Sequence, residues 1–274
     1  GGRCNKHSGE FIEMKRSKII FLIFFFIFSF QSICHAVELF EGVWRAFDLE
    51  VEELEGVVLG FGVLYSTSVY EGVDDSVWAV PIIVGKYKRF YVDGSSLGYI
   101  LNDRKDFYLS LVVQPRFGGY DHDDSSTLAG MDDRKWSLEG GLRLTWNNDL
   151  FLLNITGVND LLGRYDGHEV KAIFSRDFLK GTFTPKVGVK WLSDNLVEYY
   201  YGVKGSEATS ARPVYEGGST VNFIAGFSVA FPLGDKWAIT GDFEYETLGS
   251  EIEDSPIVDE SDDFTTVVGL VYRF

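Results

Sequence analysis

The sequence predicts an all-β protein, a transmembrane antiparallel up-and-down β-barrel of about twelve strands, with about ten as the alternative count. Three observations predict it. From residue 56 onward, segments of about ten residues alternate apolar and polar side chains between turn-rich breaks. The breaks are short at 147–149, 180–181 and 234–235 but long and acidic at 118–135, 193–218 and 249–263, the asymmetry of periplasmic turns against extracellular loops. The final stretch, Val267-Val268-Gly269-Leu270-Val271-Tyr272-Arg273-Phe274, alternates in character and stops on an aromatic carboxyl terminus, as outer-membrane barrel chains typically do.

The elements follow in order. Residues 1–36 read as upstream residues plus a secretory signal peptide: Met14 is followed by Lys15, Arg16 and Lys18, then by the apolar run 19–30, then by the small-residue site ending at Ala36. That apolar run of 12 residues is shorter than the roughly 20 a spanning helix needs, so cleavage after Ala36 is expected rather than a retained anchor. Residues 37–55 form an acidic amino-terminal periplasmic segment, in which Leu39, Phe40, Val43, Trp44, Phe47 and Leu49 lie among acids. They could anchor a partner, plug the lumen or form a disordered leader.

The barrel occupies 56–274, with strands near 57–70, 77–87, 88–93, 97–102, 106–117, 136–147, 150–162, 168–179, 182–192, 220–232, 236–248 and 264–274. In 137–147, Leu138, Leu142, Leu144 and Trp146 oppose Ser137, Glu139, Arg143, Thr145 and Asn147. In 182–191, Phe183, Pro185, Val187, Val189 and Trp191 oppose Thr182, Thr184, Lys186 and Lys190; in 236–246, Trp237, Ile239, Phe243 and Tyr245 oppose Lys236, Thr240, Asp242, Glu244 and Glu246. Alternation alone also permits a soluble sandwich. Aromatics near strand ends favour a membrane, with Tyr70, Trp78, Tyr87, Tyr91, Trp146, Trp191, Tyr199, Tyr200, Trp237 and Tyr245 expected in two interfacial girdles. Around 88–102, Gly94-Ser95-Ser96 reads as either a turn or a kink, and merging that stretch gives the ten-strand alternative.

Loss of 1–36 removes both cysteines, Cys4 and Cys34, and with them disulfides and thiol chemistry. It also removes five of 25 basic and two of 41 acidic residues, leaving 20 against 39, a net charge of −19. Nucleic acid is excluded as a partner, because phosphate neutralisation would have the wrong sign.

Several short motifs resemble the MipA/OmpV family of outer-membrane proteins: Tyr70-Glu71-Gly72-Val73-Asp74-Asp75, Leu97-Gly98-Tyr99-Ile100-Leu101, Asp160-Leu161-Leu162-Gly163, Tyr200-Tyr201-Gly202-Val203, Pro213-Val214-Tyr215-Glu216-Gly217-Gly218 and Asp254-Ser255-Pro256-Ile257-Val258. The resemblance implies an outer-membrane barrel without catalytic residues. Some members are scaffolds joining a murein-cleaving transglycosylase to a murein synthase; others are adhesins or porin-like proteins. Where the family often has a His-Asp-Gly loop, this chain has Tyr165-Asp166-Gly167.

The expected partners are outer-membrane lipid and lipopolysaccharide, the barrel assembly machinery through Tyr272 and Phe274 of the last strand, and murein-processing enzymes. A porin-like channel and an adhesin are the alternatives. Arg116, Glu139, Arg143, Glu169, Lys171, Lys186, Lys190, Asp242, Glu244, Glu246 and Arg273 are expected on the inward face, either lining a water-filled channel or pairing across strands to fill the lumen. His122 and His168 remain after processing; a hydrolase would bring Asp166 and His168 together with the acids of 121–124 at the extracellular rim, whereas the simpler reading leaves them solvated. The loop acids Glu251, Glu253, Asp254, Asp259, Glu260, Asp262 and Asp263 lack EF-hand spacing, and neither a discrete metal site nor a cofactor is expected. Mutual repulsion is expected to splay these loops.

Overall fold

The computed structural model describes residues 56–274 apart from Lys105 and Asp149; the expected signal peptide and the segment at 37–55 lie outside the described residues. Twelve strands form a closed barrel: β1 (Gly56–Ser66), β2 (Ser76–Tyr87), β3 (Phe90–Asp93), β4 (Ser96–Arg104), β5 (Phe107–Arg116), β6 (Ser137–Asn147), β7 (Leu152–Asp160), β8 (His168–Ser175), β9 (Phe183–Leu192), β10 (Thr220–Pro232), β11 (Trp237–Thr247) and β12 (Asp262–Arg273). Each strand pairs antiparallel with its neighbour in sequence, which short hairpin connections permit. The seam joins β12 to β1, from Val58 opposite Arg273 to Ser66 opposite Thr265, and the Phe274 N–H donates to Val57 O at 3.3 Å.

The apolar face of the sheet points outward. In β6, Leu142 and Trp146 are 47 % and 45 % exposed, whereas Glu139 and Arg143 are buried. The same inversion holds in β9, where Val187 and Val189 are exposed and Lys186 and Lys190 buried, and in β11, where Ile239 and Tyr245 are exposed and Asp242 and Glu246 buried. A water-soluble sandwich would have the opposite arrangement, so the surface is matched to hydrocarbon. No helix among the described residues is long and apolar enough to cross a membrane.

Two expectations need correction. The girdle retains Tyr87, Trp146, Trp191, Trp237 and Tyr245, all exposed, but loses the other five. Trp78 shares the inward face of β2 with Val80 and Ile82, and the Tyr91 hydroxyl is 3.1 Å from that of buried Ser110. Tyr70, Tyr199 and Tyr200 belong to a hydrophobic cluster of the loops. The loops are not splayed: Leu128, Leu196, Val197, Val203, Ile252 and Ile257 are buried together with Tyr70, Tyr120 and Tyr200. Burial of these apolar side chains outweighs the repulsion of acids that remain solvated at the surface.

That cap contains α1 (Asp194–Tyr201) and the short α2 (Ser250–Glu253). In α1, Leu196, Val197 and Tyr200 occupy one side, as helical spacing dictates, and are buried against the other loops. An acid, Asp194, sits in its first turn, and the helix stops at Gly202, whose extended backbone leaves the helical path. At the opposite end of the barrel the connections are tight, such as the two residues Lys88 and Arg89 between β2 and β3.

Candidate functional site

The inward faces of β3 and of β5 to β11 carry a network of ion pairs in several groups. Arg116 of β5 donates to both Glu139 of β6 and Glu169 of β8. Gln114 Nε2 donates to Glu139 at 3.1 Å, and the Tyr165 hydroxyl, from the loop after β7, donates to the same carboxylate at 2.6 Å. Lys186 of β9 lies 2.8 Å from Asp242 and 2.9 Å from Glu244 of β11, and Lys171 of β8 lies 3.3 Å from Glu244. Lys190 pairs with Glu246, which also accepts from Asn222 Nδ2 at 2.5 Å. Arg143 lies 3.7 Å from Asp93 and donates to Thr156 Oγ1 at 3.2 Å.

Several of these links pass over an intervening strand. Lys186 and Asp242 are separated by β10, where Gly226 faces Lys186 across the β9 register. A Cβ at Gly226 would lie 2.9 Å from Lys186 Cε and 2.1 Å from the Phe243 carbonyl oxygen, so the absent side chain opens the route to β11. Arg273 sits near the seam on the buried side of β12, sharing the parity of Val267 and Val271. Tyr272 faces outward, its ring 4.9 Å from those of Trp237 and Phe274. The other part of the inner wall is apolar, with Val58, Leu64, Ile82, Val84, Val267 and Val271 all buried.

Sequence reasoning found the charged strand positions through their period of two. It missed Asp93, Gln114, Tyr165 and Asn222. Asp93 lay in the doubtful 88–102 stretch, Asn222 and Gln114 carry no charge, and Tyr165 is a loop residue whose partner is set by how the loop folds back over the mouth. Buried charges of this kind persist because each has an opposite charge or a donor in reach.

Above the network, the cap is held by a second set of buried charges. Arg134 donates from Nη2 to Glu207 at 2.9 Å and from Nε to the Tyr199 carbonyl at 2.6 Å. Arg212 ties the carbonyls of Glu207 and Ala129 at 2.7 and 3.3 Å, linking the loop after β9 to the loop after β5. Glu198 and Glu251 accept from the backbone N–H groups of Gly217 and Gly218 at 2.9 and 2.8 Å. Burial alone would raise the Glu207 carboxyl, but Arg134 and the N–H groups of Asp132 and Lys204 hold it down to about 2. Burial pushes the Tyr120 phenol up to about 12. A cleft of about 260 Å³ on this cap is lined by Arg164, Tyr165, Asp166, Asn195, Tyr199 and Lys204 among others.

Each histidine has a side-chain partner in its own loop region. His168 Nδ1 is hydrogen-bonded to Asn159, and His122 Nδ1 lies 2.8 Å from Asp133. The hydrogen bond to Asp133 raises the His122 pKa. Among the described residues, no group of three or more His, Cys, Asp or Glu is placed to hold a metal ion.

A closed antiparallel barrel, apolar outside and charged inside, with short turns at one end and a loop cap at the other, defines a transmembrane β-barrel of the outer membrane. The family described as MltA-interacting protein MipA matches residues 59–274, and the chain belongs to this MipA/OmpV family. It is 30% identical over 221 residues to outer membrane protein OmpV of Vibrio cholerae, covering 78% of this chain and 84% of that one. It is 29% identical over 239 residues to the MltA-interacting protein of Escherichia coli K12, covering 85% and 96%. The 24 kDa outer membrane protein of Pasteurella multocida is 26% identical over 233 residues, with 79% and 90% covered. The protein is thus an outer-membrane protein of a Gram-negative bacterium.

Proposed function

We propose that this barrel is a non-enzymatic structural protein of the envelope, a scaffold that links murein hydrolase and murein synthase at the periplasmic face. The observation that carries this reading is the lumen: Arg116, Arg143, Lys171, Lys186 and Lys190 are each tied to acids one to three strands away on the inner wall, which in this reading braces the interior rather than leaving it as a water path. Arg273 completes the inward set at the seam. Kinship supports the partner class, since one relative is named MltA-interacting protein.

The periplasmic turns offer little surface, such as Lys88 and Arg89 between β2 and β3. The partner surface in this reading is therefore the segment at 37–55, which the processing of 1–36 would leave at the amino terminus of the barrel 56–274. Tyr272 and Phe274 form the signal read by the assembly machinery, and the exposed apolar belt meets lipid and lipopolysaccharide. The test is affinity purification from solubilised envelopes of the full chain and of a variant lacking 37–55. Murein enzymes should be recovered with the first and lost with the second, while both migrate as heat-modifiable folded barrels; recovery with both would remove the segment from the role.

A further inference from the structure

Three loops meet at the cleft of about 260 Å³ on the cap. Arg134 comes from the loop after β5, Arg164, Tyr165 and Asp166 from the loop after β7, and Asn195, Tyr199 and Lys204 from the loop after β9. The walls are set by bonds within the protein. Asp160, at the end of β7, accepts from the N–H groups of Leu162 at 3.0 Å, Tyr165 at 2.8 Å and Asp166 at 3.2 Å, which fixes a turn in which Asp166 takes a left-handed φ of 50°. The Asn195 side-chain amide donates to the Asp166 carbonyl at 3.1 Å and ties this turn to α1. The floor is Tyr165 and Arg134, both buried and both turned into the protein: the Tyr165 hydroxyl donates to Glu139, and the Arg134 guanidinium to Glu207 and to the carbonyls of Tyr199 and Asp132.

The groups that remain available to a ligand are on the exposed rim. Arg164 is exposed and its guanidinium has no partner among the described residues. Lys204 is exposed and lies 2.8 Å from the equally exposed Asp132, a pair that contributes little in water and yields readily to a competing anion. Two cations thus converge on one cleft of a chain whose net charge is −16. Beside them stand acceptors, the exposed Asp166 carboxylate and the Asn195 side-chain carbonyl, and the half-buried ring of Tyr199. The Glu198 carboxylate is engaged by the Gly217 N–H at 2.9 Å. An arginine fork matches a carboxylate with parallel donors. A bare phosphate would bring only charge and acceptors to Asp166, whereas a ligand rich in hydroxyls brings donors to it. The volume lies just below the range of about 300–1,000 Å³ that holds drug-sized ligands, which suits one ring rather than a chain of them.

We propose that this cleft binds a single sugar residue that carries a carboxylate. Arg164 and Lys204 take the carboxylate, Asp166 and Asn195 accept from ring hydroxyls, and the Tyr199 ring meets the apolar face of the pyranose. The site belongs to the extracellular cap and is independent of any periplasmic partner surface.

The test is saturation-transfer NMR on the full chain folded in detergent micelles, with D-glucuronate as the probe and D-glucose as its neutral counterpart. Transfer to the ring protons of glucuronate is expected, with glucose at least about tenfold weaker, the worth of one charge-assisted hydrogen bond. Arg164→Ala and Lys204→Ala should each weaken glucuronate by about tenfold, and because both side chains are exposed each variant should stay heat-modifiable. Absence of transfer to glucuronate would overturn the proposal. So would equal binding of glucose, transfer that both variants leave unchanged, or displacement of glucuronate by an equal concentration of inorganic phosphate, which would make the cleft a plain anion site. The same chemistry is offered by free sugar acids and by the acidic core sugars of lipopolysaccharide. Displacement of glucuronate by purified lipopolysaccharide would support the site with its ligand in the membrane, and retention of glucuronate would support it with a ligand from the medium.

Discussion

Arg134 and Glu207 are the residues on which the cap turns, because both are buried and each satisfies the other while also holding backbone groups. Removing one partner leaves an uncompensated charge, so Glu207→Ala should weaken the cap by about 3–5 kcal/mol. Amide hydrogen exchange should accelerate in 117–136 and 193–219 and stay unchanged in the strands. The pH dependence has a defined sign. The folded Glu207 carboxyl is depressed from its ordinary 4.5 to about 2, so its contribution is complete above 4.5 and declines as pH falls toward 2. Cap amides should therefore keep neutral-pH protection, after correction for intrinsic exchange, down to about pH 5 and lose it progressively below that. Equal sensitivity in Glu207→Gln would assign the acid response to other carboxylates.

At the scale of elements, β10 shows how one small residue sets the interior. Gly226→Val would drive a Cβ into the Phe243 carbonyl of β11 and into the path of Lys186, so the β10–β11 pairing and the Lys186–Asp242 bridge are lost together. The expected outcome is a marked fall in the heat-modifiable fraction after refolding, whereas Gly130→Ala, with open space around it but a left-handed φ of 84°, should affect only its loop. The strands were legible because period two survives inside-out: Lys186, Lys190, Asp242 and Glu246 alternate with apolar neighbours and share one face. The 88–102 stretch read as either a turn or a kink, and the structure makes it the turn between β3 and β4; nothing in the sequence says how far β3 climbs. The cap was misread for a physical reason. Tyr199, Tyr200 and Leu196 follow helical spacing within a segment read as loop, and aromatics near strand ends look the same whether they meet lipid or one another. Partners on strands two or three apart, such as Lys186 with Asp242, depend on stagger between strands, which a single sequence does not encode locally.

For the whole molecule, the question is which barrier closes the lumen. A twelve-strand barrel can hold either a channel or a side-chain core, and on the proposed reading two obstructions lie in series: the loop cap with its apolar cluster, and the ion pairs of the inner wall. The full chain in a planar bilayer should be silent. Deleting 194–217 removes α1 and much of the cap core, yet the ion pairs of the inner wall stay in place, so silence should persist. Adding Lys186→Met and Glu244→Gln to that deletion removes three bridges at one level, those of Lys186 to Asp242 and Glu244 and of Lys171 to Glu244, and discrete conductance steps should appear only then. Steps after the loop deletion alone would mean that the network leaves a water path and the cap is the gate. Steps from the unmodified chain would make solute diffusion the function and displace the scaffold reading, because that reading rests on inward charges that are neutralised by pairing along the wall instead of being left to water.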